Sequence, residues 1–293
     1  MLDVLVIGSG PAGLSAAVYT SRAGLSTLIA TGDTEGGLLT TTEQIDNYLG
    51  MFGTGGIDLA DIFLEHSQKF GAKVRRVEAE EIHVDEDGVF ETLFNNGRKV
   101  KSKSVIYAAG STPRKLGVSG EDLNSVSYCA NCDGSFFANE KVIVVGGGET
   151  AAEDALYLSN ICESVEVIVR SSWRATEPAV HKLEAQDNVN IQVGVNVAEI
   201  LGNDSNSVAS VKLTNGEELE ASAVFVAVGQ TPNSQVAERH TTLYEDGFVK
   251  CSNVEGFFVA GDVTDPDYRQ VAIAVGDGAK AGIDATRYVL NKG

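Results

Sequence analysis

Two stretches of the chain share the same order of apolar and polar positions. Residues 3–21 start with a short apolar run, continue through a glycine-rich turn and end in an alanine-rich pattern with helical spacing. Residues 141–159 align with them without gaps and repeat all three parts. A buried strand followed by a glycine turn and a helix is typical of a nucleotide-binding βαβ unit. The pattern therefore predicts two such units in one chain.

A second pair of similar segments indicates where each unit closes. Residues 105–110 and 224–229 are apolar runs that end in glycine, and a loop containing proline follows each of them. Both runs predict a buried strand. Near the C-terminus, residues 256–260 form another apolar strand pattern, without a glycine fingerprint. Because one short strand cannot build a core alone, we expect it to join the first unit.

These patterns predict an α/β fold with two Rossmann-like, three-layer ββα dinucleotide-binding domains, the second inserted into the first. We expect the chain to cross between the domains near residues 112–118 and 240–248. The first domain is accordingly expected to comprise residues 1–112 and 245–293, and the second residues 113–244.

Composition limits the class of protein. The chain has 293 residues, of which 43% are hydrophobic, 22 are Lys or Arg and 41 are Asp or Glu, giving a formal net charge of −19. A surface this acidic repels phosphate backbones, which argues against a nucleic-acid partner. No apolar run approaches the roughly 20 residues that span a bilayer, and residues 1–13 lack the features of a signal peptide. We therefore expect a cytoplasmic protein without a membrane partner.

The first glycine turn, residues 8–13 (GSGPAG), matches the dinucleotide fingerprint. It follows the predicted strand 4–7 and opens a predicted helix, a context that an ordinary tight turn would not need. Its glycines allow the backbone to approach a pyrophosphate, and the helix N-terminus stabilises the negative charge. The acidic residue expected about 20 positions later is missing from residues 29–32, so Asp33 and Glu35 are the nearest candidates to bind a ribose hydroxyl group.

The second glycine turn, residues 146–151 (GGGETA), has the same form, with alanine in its last small position. The strand after it, residues 165–169, ends at Arg170 instead of an acidic residue, and Arg174 follows one helical turn later. A carboxylate at this place favours NAD, whereas a cation suits the 2′-phosphate of NADP. The spacing therefore favours NADP, the alternative being an ordinary solvated arginine at the surface.

Two of the four cysteines lie close together, as Cys129-Ala-Asn-Cys132. A structural zinc site usually needs four ligands in two closely spaced pairs. Cys162 and Cys251 are solitary, and the four histidines form no ligand pair, so we expect no metal site and two buried, unreactive cysteines. The CxxC spacing favours dithiol–disulfide exchange, and Asp133 is a candidate for moving a proton to or from a thiol.

A third group of polar residues follows the C-terminal apolar strand. Asp262 places a carboxylate at the carboxyl end of that strand, where ligands bind in α/β sheets. Arg269 and Gln270 then precede the small-residue run 271–281, which is predicted to be helical. A cation, an amide and a helix N-terminus suit an electron-rich ring edge that becomes anionic on reduction. Beside two nucleotide units and a cysteine pair, they favour a flavin over the alternative that Asp262 only caps a helix.

Together these motifs resemble the low-molecular-weight, thioredoxin reductase-type family of FAD-dependent pyridine nucleotide-disulfide oxidoreductases, over essentially the whole chain. The similar segments are GSGPAG at 8–13, GGLLTTTEQIDNYLG at 36–50, AAGSTPRKL at 108–116, CANCDG at 129–134, GGGETAAEDA at 146–155, VGQTPN at 228–233 and AGDVTDPDYRQVAIAVGDG at 260–278. The resemblance implies an enzyme that passes two electrons from NADPH through FAD to the Cys129–Cys132 disulfide and on to a thioredoxin-like protein. It also implies a homodimer.

The resemblance assigns residues to each cofactor as well. Cys132 is expected to face the flavin, and Cys129 is expected to attack the disulfide of the partner. The residues expected to bind FAD are Gly8, Gly10, Pro11, Ala12, Gly13, Thr34, Glu35, Gly36, Gly37, Leu38, Leu39, Asn47, Ala109, Gly110, Gly261, Asp262, Arg269, Gln270 and Val271. The residues expected to bind NADP are Gly146, Gly148, Glu149, Thr150, Arg170 and Arg174.

Two segments depart from the family pattern. Leu38 stands where the family has glutamine, which removes one side-chain amide near the FAD. Residues 169–174 read VRSSWR, one residue shorter than the family's His-Arg-Arg…Arg cluster, which leaves fewer contacts for a 2′-phosphate. Other readings therefore stay open beside the NADPH-dependent enzyme. They are a disulfide reductase of the same fold that takes electrons from ferredoxin, a ferredoxin–NADP reductase, and a non-catalytic flavin redox sensor.

Overall fold

The chain folds into two compact units. The first is formed by Met1–Thr112 together with the chain from Thr231 onward, and the second by Pro113–Gln230. These units are seen in a computed structural model, which describes residues 1–42, 44–265 and 267–292.

Short strands and helices make up both units. The segment before the first crossing forms β1 (Leu2–Ile7), α1 (Pro11–Arg22), β2 (Thr27–Ala30), a 3-10 helix (Gly37–Thr41), α2 (Gly56–Lys69), β3 (Lys73–Arg75), β4 (Ala79–Val84), β5 (Phe90–Phe94), β6 (Lys99–Tyr107) and β7 (Ser111–Pro113). The inserted segment forms β8 (Val126–Ser127), α3 (Ala130–Asp133), a 3-10 helix (Gly134–Phe137), β9 (Lys141–Val145), α4 (Glu149–Ser159), β10 (Ser164–Val169), α5 (Glu177–Glu184), β11 (Val189–Val193), β12 (Val197–Gly202), β13 (Val208–Leu213), β14 (Glu218–Glu220), β15 (Ala223–Val226) and β16 (Gln230–Pro232). The returning segment forms a 3-10 helix (Gln235–His240), β17 (Thr241–Leu243), β18 (Val249–Ser252), β19 (Phe257–Val259) and α6 (Val271–Lys292).

A seven-stranded sheet is the centre of the first unit. Six strands lie in the order β3-β2-β1-β6-β5-β4, and residues 4–6 of β1 are fully buried, as an uninterrupted apolar run predicts for a parallel strand. The long strand β6 has two neighbours along its other side. Its first half pairs with β5, where Ser102 lies opposite Phe90, and its second half pairs with β19, where Val105 lies opposite Phe257. The C-terminal strand thus lies in the first unit, as the sequence predicts.

Helices α1 and α6 pack against each other through small residues. A Cβ atom at Gly278 would lie 2.0 Å from the carbonyl oxygen of Ala12, and one at Gly282 would lie 2.7 Å from that of Ala16. Glycine is therefore needed for the two backbones to come this close. With 22 residues, α6 is the longest helix in the described part of the chain, where no helix is both long and apolar enough to cross a membrane.

The second unit has three layers around a five-stranded parallel sheet in the order β11-β10-β9-β15-β8. On one face, Val144 and Phe225 pack in a core with Ala155 of α4. On the other face, Ile143 packs in a second core with Val211, which belongs to the antiparallel sheet β12-β13-β14. Because successive residues of a buried strand point to opposite faces, the continuous apolar runs of β9 and β15 supply both cores.

The chain returns to the first unit earlier than predicted. The second unit ends at Gln230, so the expected limit at residue 244 and the expected crossing near residues 240–248 are wrong. His240 is buried in the first unit, with its ring 5.1 Å from that of Phe257 and its Nε2 atom 2.9 Å from the carbonyl oxygen of Ile82. The boundary depends on these tertiary contacts between distant segments. No change in the composition of the chain marks it.

Candidate functional site

The carboxyl ends of three neighbouring strands meet at one edge of the sheet in the first unit. Ile7 of β1 is paired with Tyr107 of β6, and Tyr107 is paired with Val259 of β19. Residues that follow these strands therefore lie close together, although the chain brings them from three distant segments. Among the residues expected to bind FAD, they are Gly8, Ala109, Gly110 and Gly261.

The glycine turn after β1 leaves the N-terminus of α1 open. Gly8 has φ +102°, and a Cβ atom there would lie 2.1 Å from the carbonyl oxygen of Ala108. Gly10 is the N-cap residue of α1, and a Cβ atom there would meet no atom within 4 Å. Pro11 begins the helix, no side chain caps it and no acidic residue lies in its first turn. Free N–H groups and the positive end of the helix dipole fit a phosphate group at this place.

Ala12 and Gly13 shape this turn from its packed side. A Cβ atom at Gly13 would lie 2.0 Å from the carbonyl oxygen of Gly8, and one at Gly261 would lie 2.7 Å from the methyl group of Ala12. These small residues let the turn, α1 and the end of β19 lie against one another. The three residues therefore set the shape of the turn.

The segment after β2 lies beside the same turn. The N–H group of Gly36 donates a 3.2 Å hydrogen bond to the hydroxyl oxygen of Ser9. A Cβ atom at Gly37 would lie 3.3 Å from the Cα atom of Gly10. Ser9 was not among the residues that the sequence indicated, because nothing in the fingerprint distinguishes the residue between its first two glycines.

The side chains around these glycines differ in exposure. Thr34, Glu35 and Leu38 are exposed, whereas Leu39 is buried in a small apolar cluster with Leu59. The substitution of leucine for the family's glutamine therefore puts an apolar side chain in contact with solvent in this structure. Leu39, in contrast, supports the segment from the core.

Asn47 and Gln270 are in contact although 223 residues separate them in the sequence. The Nδ2 atom of Asn47 donates a 3.1 Å hydrogen bond to the Oε1 atom of Gln270. Gln270 directly precedes Val271, the first residue of α6, which packs against the cluster that contains Leu39. Two residues expected to bind FAD are thus in direct contact, and two more, Leu39 and Val271, share one apolar cluster.

Asp262 and Arg269 bring opposite charges into a partly buried place. Burial raises the pKa of the Asp262 carboxyl group to about 6, and the positive charge of Arg269 opposes this rise. The Nε atom of Arg269 is buried and has no hydrogen-bond partner among the described residues. A buried donor without an acceptor and a carboxyl group that resists ionisation both gain from a polar ligand. They fit a flavin, which offers hydroxyl groups and an electron-rich ring.

The second glycine turn repeats the construction of the first. A Cβ atom at Gly146 would lie 2.3 Å from the carbonyl oxygen of Ala227, much as one at Gly8 would approach the end of β6. Gly148 is the N-cap residue of α4, no side chain caps this helix, and a Cβ atom at Gly148 would meet no atom within 4 Å. Thr150 is exposed in the first turn. This end of α4 fits the phosphate groups of a pyridine nucleotide.

Arg170 and Arg174 are exposed on the segment that follows β10. The N–H group of Arg174 donates a 2.6 Å hydrogen bond to the carbonyl oxygen of Gly147, which holds this segment against the glycine turn. Within the described ranges neither guanidinium group is paired with a carboxylate. Two unpaired cations near a helix N-terminus fit a further phosphate group.

Glu149 differs from the other residues expected to bind NADP. Its carboxylate oxygens accept hydrogen bonds from the N–H and hydroxyl groups of Thr176, at 2.8 and 3.0 Å. The exposed Glu149 side chain is therefore bound to Thr176 of the same unit, on the segment that carries Arg174.

Cys129 and Cys132 form a disulfide in the second unit. The N–H groups of Cys132 and Asp133 donate to the carbonyl oxygen of Cys129, at 3.2 and 3.1 Å, so the pair lies on one helical turn. Both cysteines are partly exposed. Cys162 is buried as expected, but Cys251 is exposed because β18 is a surface strand that buries only its first residue. In the described part of the chain, no group of three or more His, Cys, Asp or Glu side chains is arranged to hold a metal ion.

Ser127 belongs to this site although the sequence did not indicate it. Its hydroxyl group donates a 2.6 Å hydrogen bond to the Oδ2 atom of Asp133 and accepts a 3.1 Å hydrogen bond from the N–H group of Cys129. Ser127 is buried, so it holds the carboxylate in place relative to the disulfide. A serine two residues before a cysteine has no distinctive spacing, and only the turn of the chain into α3 brings it to Asp133.

A redox-active cysteine pair carried by one of two dinucleotide-type units is the arrangement of the flavin-dependent disulfide oxidoreductases as a class. Residues 2–278 match the family described as pyridine nucleotide-disulphide oxidoreductase, and the chain belongs to this family. The family implies binding of a flavin and of a pyridine nucleotide. The resemblance found in the sequence is thereby confirmed.

Comparison with individual proteins agrees with this assignment. A thioredoxin reductase of Mycolicibacterium smegmatis is 35% identical, covering 99% of this chain and 97% of its own. A Pseudomonas fluorescens protein named glucosaminate ammonia-lyase is 38% identical, covering 98% of this chain and 95% of its own. The solved structure of thioredoxin reductase from Streptococcus pyogenes MGAS5005 has a TM-score of 0.93 at 33% identity, covering 99% of both chains. These similarities confirm the predicted α/β fold with two Rossmann-like domains and the prediction of an oxidoreductase.

Proposed function

We propose that the protein is a thioredoxin reductase, which passes two electrons from NADPH through FAD to the Cys129–Cys132 disulfide and then to a thioredoxin-like protein. The disulfide carries this proposal, because its two cysteines are partly exposed on one helical turn with the Asp133 carboxylate held nearby. Relatives named thioredoxin reductase, similar over almost their full length, support the choice of substrate.

FAD is the flavin that we assign to the first unit. The open N-terminus of α1 at Gly10 would hold its pyrophosphate, Asp262 would bind its ribityl hydroxyl groups, and Arg269 would lie against its ring. When bound, FAD supplies the chemistry that converts a hydride from the nucleotide into an electron pair for the disulfide.

NADPH is the donor that we assign to the second unit. Gly148 and Thr150 lie at the open end of α4, where the diphosphate would bind. Arg170 and Arg174 are the cations available to a 2′-phosphate. A hydrogen bond to a charged group contributes about 1.5–3 kcal/mol, so even one such contact favours NADPH over NADH by a factor of ten or more.

The cysteines complete the transfer in two exchange steps. Two electrons and two protons first convert the Cys129–Cys132 disulfide into two thiols. The Cys129 thiolate then attacks the partner's disulfide, which forms a mixed disulfide and releases one partner thiol. Cys132 attacks the sulfur of Cys129, which restores the internal disulfide and releases the second partner thiol. Asp133 is our candidate for the group that moves the proton in these steps.

We further propose that the enzyme works as a homodimer in the cytoplasm, where thiols stay reduced. The acidic composition, with a net charge of −19, supports the absence of a nucleic-acid partner. Ferredoxin is the alternative donor, and the shortened segment 169–174 supports testing it.

Anaerobic titration of the flavin-loaded protein tests the donor. We expect NADPH to bleach the flavin absorbance at a concentration at least tenfold below that needed with NADH. Only NADPH carries the 2′-phosphate group that Arg170 and Arg174 would bind. Bleaching by reduced ferredoxin, with neither nucleotide effective, would assign the electrons to ferredoxin instead.

Reduction of thioredoxin tests the cysteines. Cys129→Ser and Cys132→Ser are each expected to abolish thioredoxin reduction while leaving the flavin bound, because the exchange needs both sulfurs. Cys251→Ser is the matched control, since that thiol is exposed and unpaired, and it should keep full activity. Thioredoxin reduction by the Cys129→Ser variant at the rate of the parent would exclude the proposed route.

The relative named glucosaminate ammonia-lyase supplies a second candidate activity, release of ammonia from glucosaminate, because it is 38% identical over nearly the whole chain. Elimination of ammonia moves no electrons to a disulfide. The same cysteine variants would therefore keep such an activity, and an ammonia assay on the parent and on Cys129→Ser separates the two candidates.

A further inference from the structure

Four hydrogen bonds join the second glycine turn to the segment that carries Arg174. The carbonyl oxygen of Gly147 accepts from the N–H groups of Arg174 and Ala175, at 2.6 and 3.2 Å. The Glu149 carboxylate accepts from the N–H and hydroxyl groups of Thr176, at 2.8 and 3.0 Å. The backbone of Arg174 is thus held from its own N–H group and from the residue two positions later.

Glu149 and Thr176 both lie in positions that usually serve another purpose. A carboxylate in the first turn of a helix stabilises the helix but repels an anionic ligand at the same end. Thr176 is the N-cap residue of α5, where a threonine hydroxyl normally caps the helix, yet it makes no cap hydrogen bond. Its hydroxyl group donates to Glu149 instead. The two side chains are therefore committed to each other.

We propose that Glu149 and Thr176 are positioning residues that determine the preference for NADP over NAD, by fixing the segment from which Arg174 reaches the 2′-phosphate. This inference rests on the proposed function for the identity of the nucleotide. It replaces the expected role of Glu149 as a ligand of NADP, because both of its carboxylate oxygens are engaged by Thr176.

Loss of this pair would affect one phosphate contact and not the others. An exposed arginine on a loose segment loses conformational freedom when it binds, whereas a fixed backbone removes part of that cost beforehand. The N-terminus of α4 at Gly148 does not depend on Thr176, so the contact with the diphosphate stays. The affinity for NADP should therefore fall while the affinity for NAD is unchanged.

Thr176→Val is the sharpest test, because valine has the shape of threonine, keeps the backbone N–H group and changes no charge. Binding of NADP⁺ and NAD⁺ to the oxidised, flavin-loaded protein would be measured by calorimetry. We expect a Kd for NADP⁺ raised about five- to tenfold, less than for the loss of a complete hydrogen bond to a charged group, because the N–H group of residue 176 still donates to Glu149. The Kd for NAD⁺ should stay within about twofold of the parent. Thr176→Ser keeps the hydroxyl group and should restore the parent's Kd for NADP⁺.

Two glutamate variants separate positioning from charge. Glu149→Gln removes a negative charge and weakens the contact with Thr176, whereas Glu153→Gln removes the same charge from an exposed residue one turn later on α4. A pure charge effect would raise the affinity for both nucleotides in both variants. We expect only Glu149→Gln to lower the ratio of NADP⁺ to NAD⁺ affinity.

Combining Glu149→Ala with Thr176→Val gives a further check. Because both changes break the same contact, the double variant should lose no more NADP⁺ affinity than Glu149→Ala alone. Additive losses, equal losses for the two nucleotides, or an unchanged Kd for NADP⁺ in Thr176→Val would each overturn the inference.

The rate of thioredoxin reduction tests the proposed function separately from the role of the pair. With saturating NADPH, Thr176→Val should reduce thioredoxin with the parent's kcat and a raised KM for NADPH. A parent protein that prefers NADP⁺ but does not reduce thioredoxin would overturn the proposed function and leave the role of the pair intact. A parent protein without any preference for NADP⁺ would overturn the role of the pair.

Discussion

The hydroxyl group of Ser127 is 2.6 Å from the Oδ2 atom of Asp133 and donates a hydrogen bond to it. The hydroxyl oxygen of Ser127 also accepts a hydrogen bond from the N–H group of Cys129, so one buried side chain connects the carboxylate to the backbone of the disulfide. A group that moves protons is effective only when it is held within reach of the reacting atom. Ser127 should therefore matter for the exchange step and not for nucleotide binding.

Ser127→Ala is expected to lower kcat for thioredoxin reduction about tenfold or more, as for the loss of one hydrogen bond to a charged group. The rate of flavin reduction by NADPH should not change. Steady-state assays and rapid-mixing absorbance measurements would separate the two. Ser125→Ala is the control, because Ser125 is also buried but its hydroxyl group accepts from the N–H group of Val208. An equal loss of kcat in both variants would contradict a specific role for Ser127.

Asp262 is expected to make the flavin-free protein less stable as the pH rises. Its pKa is raised from 3.8 to about 6, so between these values the folded protein keeps a proton that the unfolded chain releases. The free energy of unfolding therefore falls through this window, by about 3 kcal/mol once the pH is well above 6. Asp262→Asn removes this penalty, and urea unfolding should show a larger gain at pH 7.5 than at pH 5. An equal difference at both pH values would argue against a raised pKa.

Gly278→Ala is expected to destabilise the first unit. The added methyl group would lie 2.0 Å from the carbonyl oxygen of Ala12, so α1 and α6 must move apart, which typically costs about 1–3 kcal/mol. Gly276→Ala lies on the same helix with no atom within 4 Å of the new Cβ, and it should stabilise the protein by about 0.5–1 kcal/mol. Urea unfolding of the two variants should give changes of opposite sign, and the same sign would refute the close packing at Gly278.

A fragment of residues 113–230 is expected to fold by itself, because the parallel sheet of the second unit has a complete core on each face. It should unfold cooperatively on heating and retain the Cys129–Cys132 disulfide. Extension to residue 244 should add no stability, since His240 is buried in the other unit. A fragment that folds only when residues 231–244 are present would place the boundary where the sequence suggested it.

Local patterns in the sequence were sufficient for the parts of the site that consist of backbone. Gly8 and Gly146 were recognised because a strand, a turn and a helix leave a fixed spacing of small residues. The spacing of Cys129 and Cys132 alone was enough to predict their disulfide. Such features depend on neighbours within a few residues, and these neighbours are visible in any single sequence.

Contacts between distant side chains could not be predicted in the same way. Ser9, Ser127 and Thr176 acquire their roles through hydrogen bonds that depend on how turns fold back, and serine or threonine is common in any loop. The predicted boundary at residue 244 is wrong for a related reason, since the burial of His240 depends on β4 and β19, which are far away in sequence.

The two neighbours on one side of β6 have a consequence for synthesis of the chain. The second half of β6 pairs with β19, and α1 packs against α6, so the first unit needs segments from the last 40 or so residues. The inserted unit needs nothing beyond Gln230. Since domains fold as units during translation, the inserted unit can fold on the ribosome before β19 has been synthesised. At that point β6 of the first unit still lacks this partner strand. The unit whose synthesis begins first is therefore the last to complete its fold.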